Sequence, residues 1–134
     1  MASIKAGLPG DASYAKGCST RFEMEREGIK CFVKFAMKTP NVYNIIWGSL
    51  SIDQKLFVDY YSSFAESYTH ALQKSSNEVD TQDSTTVAYM LMGISNFIGL
   101  RAIFEQMNDE DIDRIIDENL MPALKFGIFK NCEK

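Results

Sequence analysis

The chain has 134 residues, 46% of them apolar and 24% charged, with a formal net charge of −4. That length buries one core and hardly two, and so apolar and weakly charged a chain is not a disordered one. Eighteen acidic against fourteen basic side chains give no overall electrostatic reason to bind nucleic acid or an anionic membrane.

Gly7, Pro9, Gly10 and Gly17 mark residues 1–18 as a flexible leader or linker remnant, and no continuous apolar stretch there reads as a signal peptide. Residues 19–134 are expected to form a single helical domain. Basic residues outnumber acidic ones up to Lys38, but too sparsely for a phosphate-binding arm. Three cysteines, Cys18, Cys31 and Cys132, include no CxxC pair, so neither a disulfide framework nor a zinc knuckle fits; a reducing cytoplasm is the expected compartment.

From Ser19 onward Phe22, Ile29, Phe32, Phe35 and Ala36 recur at helical steps, predicting an amphipathic helix that ends at Thr39, before Pro40. Pro40 suits the first turn of a short second helix, with Tyr43, Ile46 and Trp47 on one side and Gly48 as its breaker. Ser51 or Asp53 can cap a long helix over Ile52 to Lys74, on which Leu56, Phe57, Tyr60, Phe64, Tyr68 and Leu72 keep the period. The polar stretch 75–85 reads as a loop with a cap at Asp80 or Asp83.

Val87 to Phe104 is apolar almost all round, interrupted by Ser95, Asn96 and Arg101. It has about the length of a membrane span, but two internal glycines, an Asn and an Arg argue against one. A soluble helix of this kind must be covered on every side, and a partner subunit is the natural second cover. Asn108 or Asp109 then caps a last helix carrying Ile112, Ile115, Ile116, Leu120, Leu124 and Ile128, which Pro122 should kink. The fold class is therefore all-α, about five helices in an antiparallel bundle, with the last two helices of each subunit forming a four-helix dimer interface.

Little points to catalysis. His70, the one histidine, has no Cys or Asp at helical spacing, and no glycine-rich phosphate cradle occurs. Asp109, Asp111 and Asp113 imitate the first positions of a calcium loop, but Arg114 stands where the required Gly would be and Leu120 where the closing Glu would be. Acids at a positive helix end explain the same residues. No metal, cofactor or catalytic residue is expected.

The informative feature is a surplus of large side chains with polar tips on the first four helices. Aromatics at helical spacing are usually core, yet Tyr60, Tyr61 and Tyr68 need hydroxyl partners if buried. Aromatic and Met side chains with a few polar tips also line the cavities in which helical domains hold apolar or amphipathic small molecules.

The segment CFVKFAMKTPNVYNIIW resembles the helix, Pro-led short helix and aromatic turn of the C-terminal regulatory domain of TetR-family transcriptional repressors. LFVDYYSSFAESYTHALQK is similar to the long central helix of that domain, VAYMLMGISNFIGLRAIF to its dimer-forming helix, and Asp109 to about Lys130 to its second dimerisation helix. The resemblance implies a homodimer that binds a hydrophobic or amphipathic small molecule and reaches DNA only through a helix-turn-helix domain, which this chain lacks. It makes Phe35, Tyr43, Trp47, Phe57, Tyr60, Tyr61, Phe64, Met90 and Phe97 ligand-binding candidates. Gly93, Leu100, Ile116, Leu120, Leu124 and Ile128 become interface candidates. Alternatives from the residues themselves are a purely structural dimerisation module and a small helical carrier or enzyme for a hydrophobic ligand.

Overall fold

A computed structural model describes residues 15–79 and 82–130, with backbone alone for Val42, Tyr43 and Ile46. Its elements are α1 (Arg21–Lys38), α2 (Pro40–Ile52), α3 (Gln54–Lys74), α4 (Ser84–Glu105) and α5 (Asp109–Ile115). A π-helical stretch (Ile116–Leu120) carries α5 into α6 (Met121–Phe126), so residues 109–126 form one continuous rod. The fold is all-α, with no strand among the described residues.

Side-chain caps set most of the boundaries. Thr20 opens α1 by accepting the Glu23 N–H at 3.1 Å, and Asp83 opens α4 by accepting the Thr86 N–H at 3.0 Å. Asn108 and Asp111 form a reciprocal capping box at α5, which satisfies two amides that the first turn of a helix leaves without partners. Gly48 does not end α2, contrary to the sequence expectation: the helix runs on to Ile52. A glycine inside a helix costs only about 1 kcal/mol relative to alanine. The break falls instead at Asp53, whose N–H closes α2 on the Ser49 carbonyl while its carboxylate accepts the Leu56 N–H of α3.

The defect expected at Pro122 takes the form of a π-turn just before it. The proline has no N–H for the carbonyl four residues back, and the helix widens just before it so that the Met121 N–H reaches the Ile116 carbonyl. A π-turn of this kind absorbs the defect without breaking the rod. The rod stops at Phe126, short of the expected Lys130, because Gly127 takes a φ of +85°.

The main core joins Ile29, Phe32, Val33 and Ala36 of α1 to Ala102 of α4 and to Ile112, Ile116 and Met121 of the last rod. A smaller cluster of Leu72, Ala88 and Leu91 ties α3 to α4. The centre of the fold is thus α4, flanked by α1 and α3, with α2 packed on α3. Gly99 makes the α1–α4 approach possible: an added Cβ would lie 3.3 Å from Cε1 of Phe32. Ile116, expected at a dimer interface, is corrected by its position. It is 0% exposed inside the subunit's own core, where no second chain can reach it.

The last rod is also clamped to α1 by charge. Nζ of Lys30 lies 2.9 Å from Asp117 and 3.7 Å from Asp113, and Nζ of Lys34 lies 2.9 Å from Asp113. Of the acids that imitate a calcium loop, Asp113 thus faces the lysines of α1, whereas Asp111 pairs with Arg114 at 3.2 Å and serves the capping box. The Lys34 hydrogen bond holds the Asp113 carboxyl below the usual aspartate range, and the same bond pushes the Lys34 ammonium above the usual lysine range.

A carboxylate with a lowered native pKa stabilises the fold above its unfolded pKa and loses that contribution as pH falls through the native value. A lysine with a raised native pKa contributes below its unfolded value and stops as pH rises through the native one. The pair is partly exposed, so its contribution is about 1 kcal/mol or less. Thermal unfolding of wild type and Asp113→Asn should differ near neutral pH and converge as the pH drops below the ordinary aspartate range. A pH-independent gap would mean that Asp113 acts through packing rather than charge.

Candidate functional site

α3 presents Phe57, Tyr60, Tyr61, Phe64 and Tyr68 at steps of three and four, so their rings fall along one side of the helix. The rings touch in sequence. Centroids are 4.8 Å apart for Phe57 and Tyr61, 5.0 Å for Tyr60 and Tyr61, 6.4 Å for Tyr60 and Phe64, and 6.5 Å for Phe64 and Tyr68. Trp47 of α2 joins the upper end, 5.8 Å from Phe57 and 6.5 Å from Tyr61. It also meets Phe97 of α4 edge-on at 6.4 Å. One aromatic row therefore runs from α2 and α4 down the length of α3, within the 4.5–7 Å range in which ring pairs attract.

The polar tips of this row have distinct partners. Tyr61 donates its hydroxyl to Oδ1 of Asn96 at 3.3 Å, and Asn96 donates from Nδ2 to the Met92 carbonyl at 2.7 Å. Beside it, Ser95 bonds back to the Leu91 carbonyl at 3.0 Å, so both buried polar residues of α4 are satisfied within their own helix. Burial pushes the half-buried Tyr60 phenol above the ordinary tyrosine pKa, so it remains a neutral hydroxyl. At the lower end Tyr68 donates to the carboxylate of Glu25, which Arg21 also meets at 2.8 Å.

Of the predicted ligand-binding residues, Trp47, Phe57, Tyr60, Tyr61, Phe64 and Phe97 are brought into this row. Phe35 is half-buried and packs on the main core instead. The Tyr43 side chain lies outside the described residues. Met90 faces outward and is 56% exposed, so it lies on the surface of α4 rather than among the rings. An open groove of about 610 Å³ lies at the α2–α3 elbow, lined by Asn41, Ile45, Gly48, Ile52, Asp53 and Leu56. None of the predicted ligand-binding residues whose side chains are described lines it.

The outer face of α4 is the second element of the site. Its core side carries Ala88, Leu91, Met92, Ser95, Gly99 and Ala102, while Met90, Phe97 and Phe104 stand on the opposite side at seven-residue steps, with Phe97 65% and Phe104 76% exposed. An added Cβ at Gly93 would meet nothing within 4 Å, so this glycine serves no packing inside the subunit. Leu124 and Ile128 are exposed, whereas Leu100 and Leu120 are half-buried against the main core. By length and composition α4 could cross a membrane, yet 39% of its apolar window is buried inside the fold, and its Asn96 and Ser95 face that interior.

Glu25, Arg21 and Asn96 belong to this arrangement but not to the predicted site. The signal for Glu25 was available: it is an acid on the apolar stripe that joins Phe22, Ile29 and Phe32. Asn96 stood out as a polar residue in an otherwise apolar run. No protein-family model matches the chain, and no curated protein sequence matches it.

A double-mutant cycle tests the link between the row and α4. Tyr61→Phe and Asn96→Ala, measured singly and together by urea unfolding, should show a coupling of about 0.5–1.5 kcal/mol, the net value of one such hydrogen bond. Additive effects would mean that the two side chains do not interact.

Proposed function

We propose that this chain is a small-molecule-sensing, self-associating regulatory domain of the TetR type, binding rather than catalysing, which acts on DNA only through a helix-turn-helix domain outside this chain. The observation that carries this reading is the junction of the two apolar systems on α4. Phe97 meets Trp47 on one side and stands on the exposed apolar face on the other, and Asn96 holds Tyr61 one residue away. A flat apolar molecule inserted among the rings would therefore press directly on the helix that carries the outward face.

A second copy of the chain is the occupant that best suits that face. Met90, Phe97 and Phe104 are evenly spaced about Phe97, so an antiparallel two-fold pairing centred there sets Met90 against Phe104 of the other copy. The one prominent ion pair in this stretch, Arg101 with Glu105 at 2.7 Å, is satisfied within α4 and adds no net charge to repel an identical surface. Gly93 leaves room for close helix approach.

Mutual packing of the rings favours a second reading, a structural dimerisation module in which the row is simply core. The two readings differ in their response to small molecules. A sensor gains RT ln(1 + [L]/Kd) of stability, about 2.7 kcal/mol at a hundredfold excess over Kd, and its Trp47 fluorescence changes in parallel. A structural module shows neither across a panel of apolar aromatic compounds.

The self-association has its own test. Phe97→Glu should convert a dimer to a monomer in native mass spectrometry at micromolar concentration while keeping its helical circular dichroism. Gly93→Ala should raise the intrinsic helix stability by up to about 1 kcal/mol and yet weaken the dimer. A wild-type chain that is monomeric throughout would sink the dimer proposal.

A further inference from the structure

The core residues of α1 begin late in the helix. Gly28, Ile29, Phe32, Val33 and Ala36 are buried, but in the two turns before them the one buried side chain is Glu25. Phe22 is 38% exposed, with the Lys125 ammonium 5.6 Å above its ring. The first turns of α1 are thus held by polar groups rather than by apolar packing. Arg21 gives its backbone N–H to Oε1 of Glu78 at 2.9 Å, an exposed contact. The buried contact is the Glu25 carboxylate, which takes the Tyr68 hydroxyl from α3 and the Arg21 guanidinium from its own helix, with Arg21 also lying 5.7 Å over the Tyr68 ring.

Tyr68 is also the last ring of the aromatic row, next to Phe64. We propose that Tyr68, Glu25 and Arg21 form a latch through which the packing of the aromatic row sets how firmly the first two turns of α1 are anchored. A hydrogen bond to a charged, buried acceptor depends steeply on donor position and angle. Tyr68 offers that donor from the tip of a ring whose position Phe64 helps to fix. A shift in the row withdraws the hydroxyl from Glu25, and the segment before Gly28 has little apolar burial to replace it. The core from Ile29 onward stays in place, so the response is local. The proposal deepens the sensor reading by naming where a disturbance of the rings emerges: at the start of α1, on the opposite side of the row from Trp47 and Phe97.

Hydrogen–deuterium exchange on the full chain tests this without any ligand. Tyr68→Phe keeps the ring and deletes the donor, and amides 21–28 should exchange about tenfold faster, the equivalent of one charge-assisted hydrogen bond. Amides 109–121 should keep their wild-type rates. Phe64→Leu leaves the Tyr68 hydroxyl but removes its neighbouring ring, and it should accelerate the same segment more than residues 109–121. Unchanged rates at 21–28 in Tyr68→Phe, or equal acceleration of both segments in both variants, would overturn the latch. Because both variants are read in the absence of small molecules, failure of the latch is distinct from failure of the sensor reading, which the stability and fluorescence assays decide.

Discussion

The whole arrangement depends on one constraint: α4 is apolar on nearly every side and lies at the centre of the fold. Water cannot be left on so much apolar surface without cost, about 25 cal/mol for each square ångström exposed. α1 covers one flank and α3 another, and each chooses its partners accordingly. Gly99 lets Phe32 come close from α1, while Ala88 and Leu91 receive Leu72 from α3. The last rod then closes the main core from the far side of α1 through Ile112, Ile116 and Met121. The strip from Met90 to Phe104 that the described elements leave largely exposed is the remainder of the same constraint.

Two kinds of force hold α1, and they divide it. From Ile29 to Ala36 the helix is fixed by close apolar packing and, on its outer side, by lysines reaching Asp113 and Asp117. Before Gly28 it is fixed by hydrogen bonds and ion pairs. Apolar packing is non-directional and tolerates small movements, whereas hydrogen bonds fail abruptly with angle and distance. A helix built this way has a stable half and a half that can respond. The aromatic row, with its edge-on and tilted contacts, is the element that spans from the exposed face of α4 to the responsive half.

Most helix positions were legible because they are written in local chemistry: Asp53, Asp83 and Asn108 are caps, and Pro40 opens a helix where a proline costs nothing. Gly48 misled because glycine weakens a helix without ending it, and the boundary belonged to the capping carboxylate five residues later. Pro122 marks a defect in the last helix. Its resolution by a π-turn depends on whether the neighbouring carbonyls can shift, which no sequence pattern states. The α3 rings were legible as a set from their spacing, since the helical period puts them on one side.

Their partners were not legible, for a physical reason. Periodicity assigns faces by contrast between apolar and polar residues, and α4 offers almost no contrast. Met90 and Phe97 therefore could not be told from Leu91 and Gly99 by pattern alone. What does carry tertiary information in such a helix is the exception to its character. Asn96, Ser95 and, on α1, Glu25 are polar groups placed where burial would be expensive unless each met a partner. Each does meet one, and two of those partners, Tyr61 and Tyr68, are hydroxyls of the same aromatic row. Ser95 bonds only within its own helix, whereas Asn96 and Glu25 mark where one helix is tied to another. In this chain those two ties add directional hydrogen bonds to a row that also packs on the main core through Trp47, Tyr60 and Phe64.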